Sequence, residues 1–173
     1  MKLLCELTAL PTDSGQTEIA PALIEVKGPF IGEVKKLTNL QFEKLKKSQD
    51  QDLLICQDQM LTPAFVNAHT HIAMNCFRAI SAADTAKNNL VVDLFFEVEK
   101  HLTPSDVRAF AKMGAYENLL CGVGFVWDHY YHGYDVALAL QETGLSGAVA
   151  PTLQDLSGPG KEYCQREWQN TEA

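Results

Sequence analysis

The sequence predicts an α/β protein in which a parallel sheet occupies residues 63–173 and a small β segment occupies residues 1–62. Three observations lead to this prediction. From residue 64 onward, apolar strands alternate with helical patterns in the order β-α-β-α-β, the arrangement typical of parallel strands with right-handed crossovers. Residues 1–62 consist instead of short strands separated by turns. The length of 173 residues suits one domain, or one domain with an appendage.

The β segment is expected to contain four strands and one short helix. Thr38-Asn39-Leu40-Gln41 has the pattern of a capping box, so a helix is expected to run to about Lys47. Gln57-Asp58-Gln59 is expected to form a turn. The predicted strands are Lys2–Leu10, Leu23–Lys27, Phe30–Val34 and Leu53–Cys56.

Helix boundaries are clear in residues 63–173. Thr103-Pro104-Ser105-Asp106 combines an N-cap Thr, a Pro in the first turn and an acidic residue, and the helix it begins should end at Gly122. A second helix, Gly133–Thr143, should end at Gly144. The remaining predicted elements are a helix at Asn88–His101 and strands at Pro63–His71, Val123–Asp128 and Gly147–Thr152.

Composition and charge argue against several classes of protein. The net charge is −8, which gives no support for a nucleic-acid partner, because such binding needs clustered Lys and Arg. No run of about 18 apolar residues predicts a membrane span. The first residues resemble a secretion signal only faintly, since Glu6 interrupts the apolar run, so we expect a first strand and a cytoplasmic protein. The five scattered cysteines form no C-x-x-C pair and are expected to be small buried side chains.

The segment Phe65-Val66-Asn67-Ala68-His69-Thr70-His71 is the most informative part of the chain. Alternate residues of a strand face the same side, so Asn67, His69 and His71 share one face. Two imidazoles at this spacing can hold one ion, and neutral imidazole is a good ligand for Zn²⁺ or Fe²⁺. Both lie at the carboxyl end of the first parallel strand, where α/β barrels build their active sites.

An H-x-H pattern does not by itself identify a metal site or a fold. The two histidines can be a chance pair, or a structural pair with satisfied hydrogen bonds. They can also belong to an unrelated metal protein such as a cupin-like β-barrel. That alternative predicts strands after His71, whereas the sequence predicts helices at 90–101 and 104–121.

The run Thr62–His71, followed by Met74 and Arg78, resembles the amidohydrolase superfamily. The most similar branch contains the cytosine, guanine and adenosylhomocysteine deaminases and the triazine hydrolases. This branch typically has Gly where the chain has Ala64 and Ala79. The segment Glu117–His129 is similar to the second helix and strand of the branch, although Gly122-Val123-Gly124-Phe125 departs from its usual Gly-x-Thr-Thr.

This resemblance implies a (β/α)₈ TIM barrel preceded by a β-sandwich segment at residues 1–62. It also implies a metal-dependent hydrolase acting on C–N bonds of small nitrogenous ring compounds through metal-activated water. His69 and His71 would be two metal ligands, with Zn²⁺ expected and Fe²⁺ as the alternative.

A complete barrel needs about 250 residues, so residues 63–173 are expected to supply about its first three βα units. The remaining ligands and the Glu and Asp that move protons in this family are expected beyond residue 173. We therefore expect the N-terminal fragment of an enzyme, inactive by itself. The alternative is a non-catalytic binding or interaction module with the same fold.

Four further residues are candidates for contact with a small-molecule substrate. Met74 and Arg78 follow the metal strand, and Trp127 and His129 lie at the end of the next strand. Three of them have a structural alternative: a surface cation for Arg78, core packing for Trp127 and a structural hydrogen bond for His129. An open three-stranded sheet leaves its edges unpaired, so self-association is also expected.

Overall fold

The computed structural model describes residues 1–78, 80, 89–154 and 158–160. The chain divides into two compact units, Met1–Pro63 and Ala64–Ala173. The first unit contains a four-stranded sheet in the order β3-β2-β1-β4, in which β1 pairs antiparallel with β2 and parallel with β4. Its elements are β1 (Lys2–Pro11), β2 (Thr17–Lys27), β3 (Phe30–Lys36), α1 (Asn39–Lys46) and β4 (Leu53–Leu61).

Helix α1 begins where the sequence predicts. The Thr38 side chain accepts a hydrogen bond from the Gln41 amide, and the Gln41 side chain accepts one from the Thr38 amide. Phe42 of this helix is buried against Leu4 of β1 and Leu37. The described part of this unit therefore holds one sheet with one helix packed on it.

The prediction of a turn at Gln57–Gln59 is wrong. These residues lie inside β4, where the register with β1 shifts between Cys5 and Leu7. Asp58 takes a left-handed conformation with φ of 57°, which Asp tolerates better than most residues. The polar run is therefore a bulge that the strand absorbs. Strand β2 also begins earlier than predicted, because Thr17 pairs with Pro11 at the end of β1.

The second unit is built on a parallel sheet in the order β5-β6-β7. The α/β class and the parallel pairing are therefore confirmed. The regular elements are β5 (Phe65–Thr70), a 3₁₀ helix (Ile72–Phe77), a π-helical turn (Val91–Phe95), α2 (Phe96–Glu99), α3 (Pro104–Leu120), β6 (Val123–Tyr130), α4 (Gly133–Thr143) and β7 (Ser146–Pro151).

The helix ends in this unit follow local chemistry. Thr103 and Asp106 form a capping box at the start of α3, and Gly144, with φ of 77°, ends α4. The segment predicted as one helix at Asn88–His101 differs: it begins with the π-helical turn and becomes regular only at Phe96, while residue 88 lies outside the described residues. The 3₁₀ helix after His71 was not predicted.

The core of the second unit lies between the sheet and helices α3 and α4. Ala and Val side chains make up much of it, together with larger ones such as Tyr130 and Leu140. At Gly114, α3 passes so near the 3₁₀ helix that an added Cβ would overlap the carbonyl oxygen of Ile72. The buried members include Val107, Ala111, Ala115, Val126, Val136 and Ala139.

Two further observations bear on the sequence predictions. None of the helices in the described ranges is long and apolar enough to cross a membrane. The prediction that the cysteines are buried is only partly right. Cys5 is buried, and Cys56 and Cys76 are half-buried. Cys121 is exposed because it follows the last turn of α3. Cys164 lies outside the described residues.

Candidate metal centre

Three imidazoles lie next to one another at the carboxyl ends of β5 and β6. The ring centroids of His69 and His71 are 5.1 Å apart, and those of His71 and His129 are 4.3 Å apart. His69 lies in β5, whereas His71 follows the last residue of that strand, Thr70. The structure therefore brings both predicted ligands together, with His129 beside them.

Hydrogen bonding selects one tautomer of His71. Its Nδ1 lies 2.7 Å from the carbonyl oxygen of His129. A carbonyl oxygen only accepts hydrogen bonds, so Nδ1 must carry the proton. The lone pair is then on Nε2, the arrangement found in metal-ligating histidines that donate their other ring N–H to a backbone carbonyl.

His129 is itself held in place. Its Nδ1 lies 2.9 Å from the hydroxyl oxygen of Thr152, just after β7. Burial lowers the pKa of His129, and the neighbouring His71 and His69 lower it further. A low pKa favours the neutral imidazole.

Asp128 forms a hydrogen bond with the backbone directly after His71. It was not identified as a candidate from the sequence. The amide of Ile72 donates to its Oδ2 at 2.6 Å. The side chain is fully buried, and its Oδ1 has no hydrogen-bond partner among the residues that the structure describes. Burial raises the pKa of Asp128 to about 6, against the opposing effects of the Ile72 amide and His71. The sequence feature that could have identified Asp128 is an acidic residue at a core position of an otherwise apolar strand.

The imidazole nitrogens of His69 and His71 are suitable ligands for a borderline divalent cation, but they are only part of a full ligand set. Neutral imidazoles suit Zn²⁺ or Fe²⁺, and His71 has the required tautomer. Within the ranges that the structure describes, no group of three or more His, Cys, Asp or Glu side chains is placed to hold a metal. A catalytic zinc normally has three protein ligands, so this pair is a partial set.

A cavity of about 300 Å³ adjoins the imidazoles on the open face of the sheet. His69, Trp127 and His129 line it, together with Thr152 and Leu153. Trp127 is 60% exposed, so it does not pack in the core. Its indole lies on the same side of β6 as His129, as the alternation predicts.

A second cavity, of about 360 Å³, is bordered by His71 and His129. Phe95, Phe96 and Met74 give it apolar walls. Glu99, also in the lining, is buried and accepts a hydrogen bond from the Tyr130 hydroxyl at 2.7 Å. Burial raises the pKa of Glu99. Sequence reasoning missed this residue, since charged residues on a helix are normally solvated.

Arg78 is paired within the chain. Its guanidinium forms an ion pair with Glu117 of α3, whose other oxygen accepts a hydrogen bond from the Asn75 side chain at 3.1 Å. Together with Met74, these residues line a polar cavity of about 340 Å³. Arg78 therefore lies at the predicted position but with its charge balanced by Glu117.

The amidohydrolase family model matches residues 60–157. The chain belongs to the amidohydrolase family. The resemblance found in the His69–His71 region is thus confirmed.

Two curated relatives are deaminases. The chain is 32% identical to the 5'-deoxyadenosine deaminase of Methanothrix thermoacetophila over 64% of this chain and 26% of that protein. It is 27% identical to the 5-methylthioadenosine/S-adenosylhomocysteine deaminase of Caldicellulosiruptor saccharolyticus over 89% of this chain and 35% of that protein. The chain thus spans between a quarter and about a third of the length of these relatives.

Solved structures share the fold at low sequence identity. The zinc complex of atrazine chlorohydrolase from Arthrobacter aurescens matches with a TM-score of 0.65 and 16% identity, over 90% of this chain and 36% of that one. A zinc-bound adenosine deaminase from Xanthomonas campestris matches with a TM-score of 0.64 and 16% identity, over 99% of this chain and 39% of that one.

Proposed function

We propose that this chain supplies the first two metal ligands, His69 and His71, of a metal-dependent hydrolase acting on C–N bonds of small nitrogenous ring compounds. The observation that carries the proposal is the His71 ring, whose Nδ1 donates to the His129 carbonyl and whose Nε2 is left for a cation. The adjacent His69 ring supplies the second donor.

The fold and the relatives of the chain support this proposal. We propose that residues 63–173 correspond to about the first three βα units of a TIM barrel and residues 1–62 to part of a β-sandwich segment. The substrate class follows from the relatives, whose names describe deaminases of adenosine derivatives. Zinc is the proposed ion because two structural neighbours contain it, with Fe²⁺ as the alternative.

Each residue has a proposed part in the mechanism. A bound divalent metal would supply water activated at neutral pH. His69 and His71 hold the metal, and the carbonyl of His129 keeps His71 in the ligating tautomer. Trp127 and His129 border the 300 Å³ cavity and would flank a planar ring. Met74 and Arg78 border the neighbouring cavity, where Glu117 orients Arg78.

In this proposal, proton transfer requires residues other than the two ligands and the cavity-lining residues of this chain. The proposed fragment is therefore inactive by itself, and the shuttle Glu and Asp belong to later strands of the barrel. A non-catalytic binding module is the second candidate. It is favoured by the partial ligand set in the described residues.

Metal analysis tests the ligand assignment. The full chain, a His69→Ala/His71→Ala variant and a His101→Ala control are loaded with Zn²⁺ or, under anaerobic conditions, Fe²⁺, then desalted. We expect bound metal in the wild type and control and its loss in the double variant. Equal metal content in all three proteins would contradict the assignment.

An activity assay tests whether this chain is catalytically sufficient by itself. The zinc-loaded chain is incubated with 5'-deoxyadenosine, and released ammonia is measured. No release is expected from this chain alone, because its ligand set is partial. Ammonia release that disappears in the His69→Ala/His71→Ala variant would show instead that the chain is catalytically sufficient.

Self-association is a further proposal. In the three-stranded sheet, β5 and β7 each pair with β6 on one side, and Phe65, Val66 and Trp127 are exposed. Unpaired strand edges and apolar surface favour association. We expect sedimentation at high micromolar concentration to detect oligomers, and a clean monomer would contradict this. The cytoplasmic location stays a prediction.

A further inference from the structure

The end of β6 contacts the His71 turn at two successive residues. The Asp128 carboxylate accepts the amide hydrogen of Ile72 at 2.6 Å, and the His129 carbonyl accepts the Nδ1 hydrogen of His71 at 2.7 Å. One contact fixes the backbone directly after His71, and the other fixes its ring. Both partners come from the same strand end, so they hold the imidazole as a unit.

A carboxylate at position 128 is costly for the fold. Asp128 is fully buried, and within the described part of the chain Oδ1 lacks a hydrogen-bond partner. Leaving a buried polar atom unsatisfied costs roughly 1–3 kcal/mol. The residues that share its side of β6 are Val126 and Tyr130, which are buried in the core. Packing alone would be served better by an apolar side chain.

The location of Asp128 beside the Ile72 amide explains why a carboxylate is present in the core. Ile72 is the first residue of the 3₁₀ helix, and His71 stands just before it with φ of −132° and ψ of 75°. Without an acceptor at Oδ2, the Ile72 amide would be buried and unpaired, and the turn could rotate the His71 ring away from the His129 carbonyl.

We infer that Asp128 is a positioning residue for His71, holding the Ile72 amide so that His71 keeps its proton on Nδ1 and presents Nε2 to the metal. The inference rests on the proposed function, in which His71 is a ligand. Residues that orient metal-bound histidines commonly change metal affinity 10–100-fold when replaced, about the effect expected here.

Glu117 offers a matched control. It anchors Asn75 and Arg78, further along the same segment, without contacting His71 or Ile72 in the hydrogen bonds described. Glu117→Gln should therefore test general anchoring of the segment. Asp128→Val removes the acceptor, whereas Asp128→Asn retains an oxygen that can accept from Ile72.

The experiment is ¹⁵N NMR of histidine-labelled full-length chain, combined with Zn²⁺ affinity measured by chelator competition. In Asp128→Val, we expect His71 to populate both tautomers and Zn²⁺ to bind 10–100-fold more weakly. Asp128→Asn should retain the Nδ1–H tautomer and bind Zn²⁺ within about threefold of the wild type, because it restores the acceptor. Glu117→Gln should leave both readouts unchanged.

Several results would overturn the inference. These are an unchanged tautomer and affinity in Asp128→Val, or an Asp128→Asn variant as impaired as Asp128→Val. If Asp128→Val does not fold, the wild type and Asp128→Asn still test the inference. It is refuted if His71 of the wild type is found as the Nε2–H tautomer, or if Asp128→Asn loses the Nδ1–H tautomer and Zn²⁺ affinity, and it is supported if both proteins keep that tautomer and bind Zn²⁺ alike. Failure of the wild type to bind Zn²⁺ would refute the proposed function, while the tautomer comparison would still test Asp128.

Discussion

The two faces of the β5-β6-β7 sheet differ in what they carry. On one side of β6, Val126, Asp128 and Tyr130 are buried against helices. On the other side, Trp127 and His129 are exposed beside the two candidate ligands. The helix-covered face therefore holds the core of this unit, and the open face holds the candidate chemistry. Asp128 links them, because it is buried on the first face and hydrogen-bonds the turn that carries His71.

The largest effect is expected from Gly114→Ala on the covered face. The added Cβ would overlap the carbonyl oxygen of Ile72, so α3 or the 3₁₀ helix must move. Overpacking against backbone costs about 3 kcal/mol of unfolding free energy. Urea denaturation measures it, with Met113→Ala on the exposed side of the same helix as a control. Equal midpoints for the two variants would contradict the close approach.

Val126→Ala should have the next largest effect. The side chain is fully buried at the centre of the core, and removing two methyl groups leaves a cavity. We expect a loss of about 2 kcal/mol, measured by the same denaturation. A loss below about 0.5 kcal/mol would mean that the covered face is loosely packed.

Glu99→Gln tests the buried carboxyl through the pH dependence of stability. Burial raises the pKa of Glu99 in the folded protein. Its contribution to stability is therefore complete below the unfolded value of about 4.3 and is lost as the pH rises through the higher folded value. The wild type should lose more unfolding free energy than Glu99→Gln between about pH 4 and about pH 8. Parallel pH profiles would contradict a raised pKa.

Trp127→Ala should have the smallest effect on stability. Because the indole is 60% exposed on the open face, its loss should change the unfolding free energy by less than about 0.5 kcal/mol. The loss of stability in this variant is compared with that of Val126→Ala, its neighbour on the covered face. If both variants cost the same, the open face would be packed against something in solution, and oligomer formation would then be measured for each.

The open-face site was predictable only in outline. The H-x-H spacing predicted two neighbouring imidazoles, and strand alternation placed Trp127 and His129 on one side. The surroundings were not predictable: the burial of Glu99 beside Tyr130 was missed, and Arg78 was not predicted to pair with Glu117. Both pairings join residues from different elements.

Features that depend on neighbours within one turn of backbone could be predicted without a structure. The Thr38 and Thr103 caps each involve a partner three residues away, and Gly144 ends α4 through its own left-handed conformation. Such contacts need no other part of the chain. The tautomer of His71 and the burial of Asp128 depend instead on long-range packing. Their partners lie 58 and 56 residues away in the sequence, so packing of β6 beside β5 must bring them together before either bond can form.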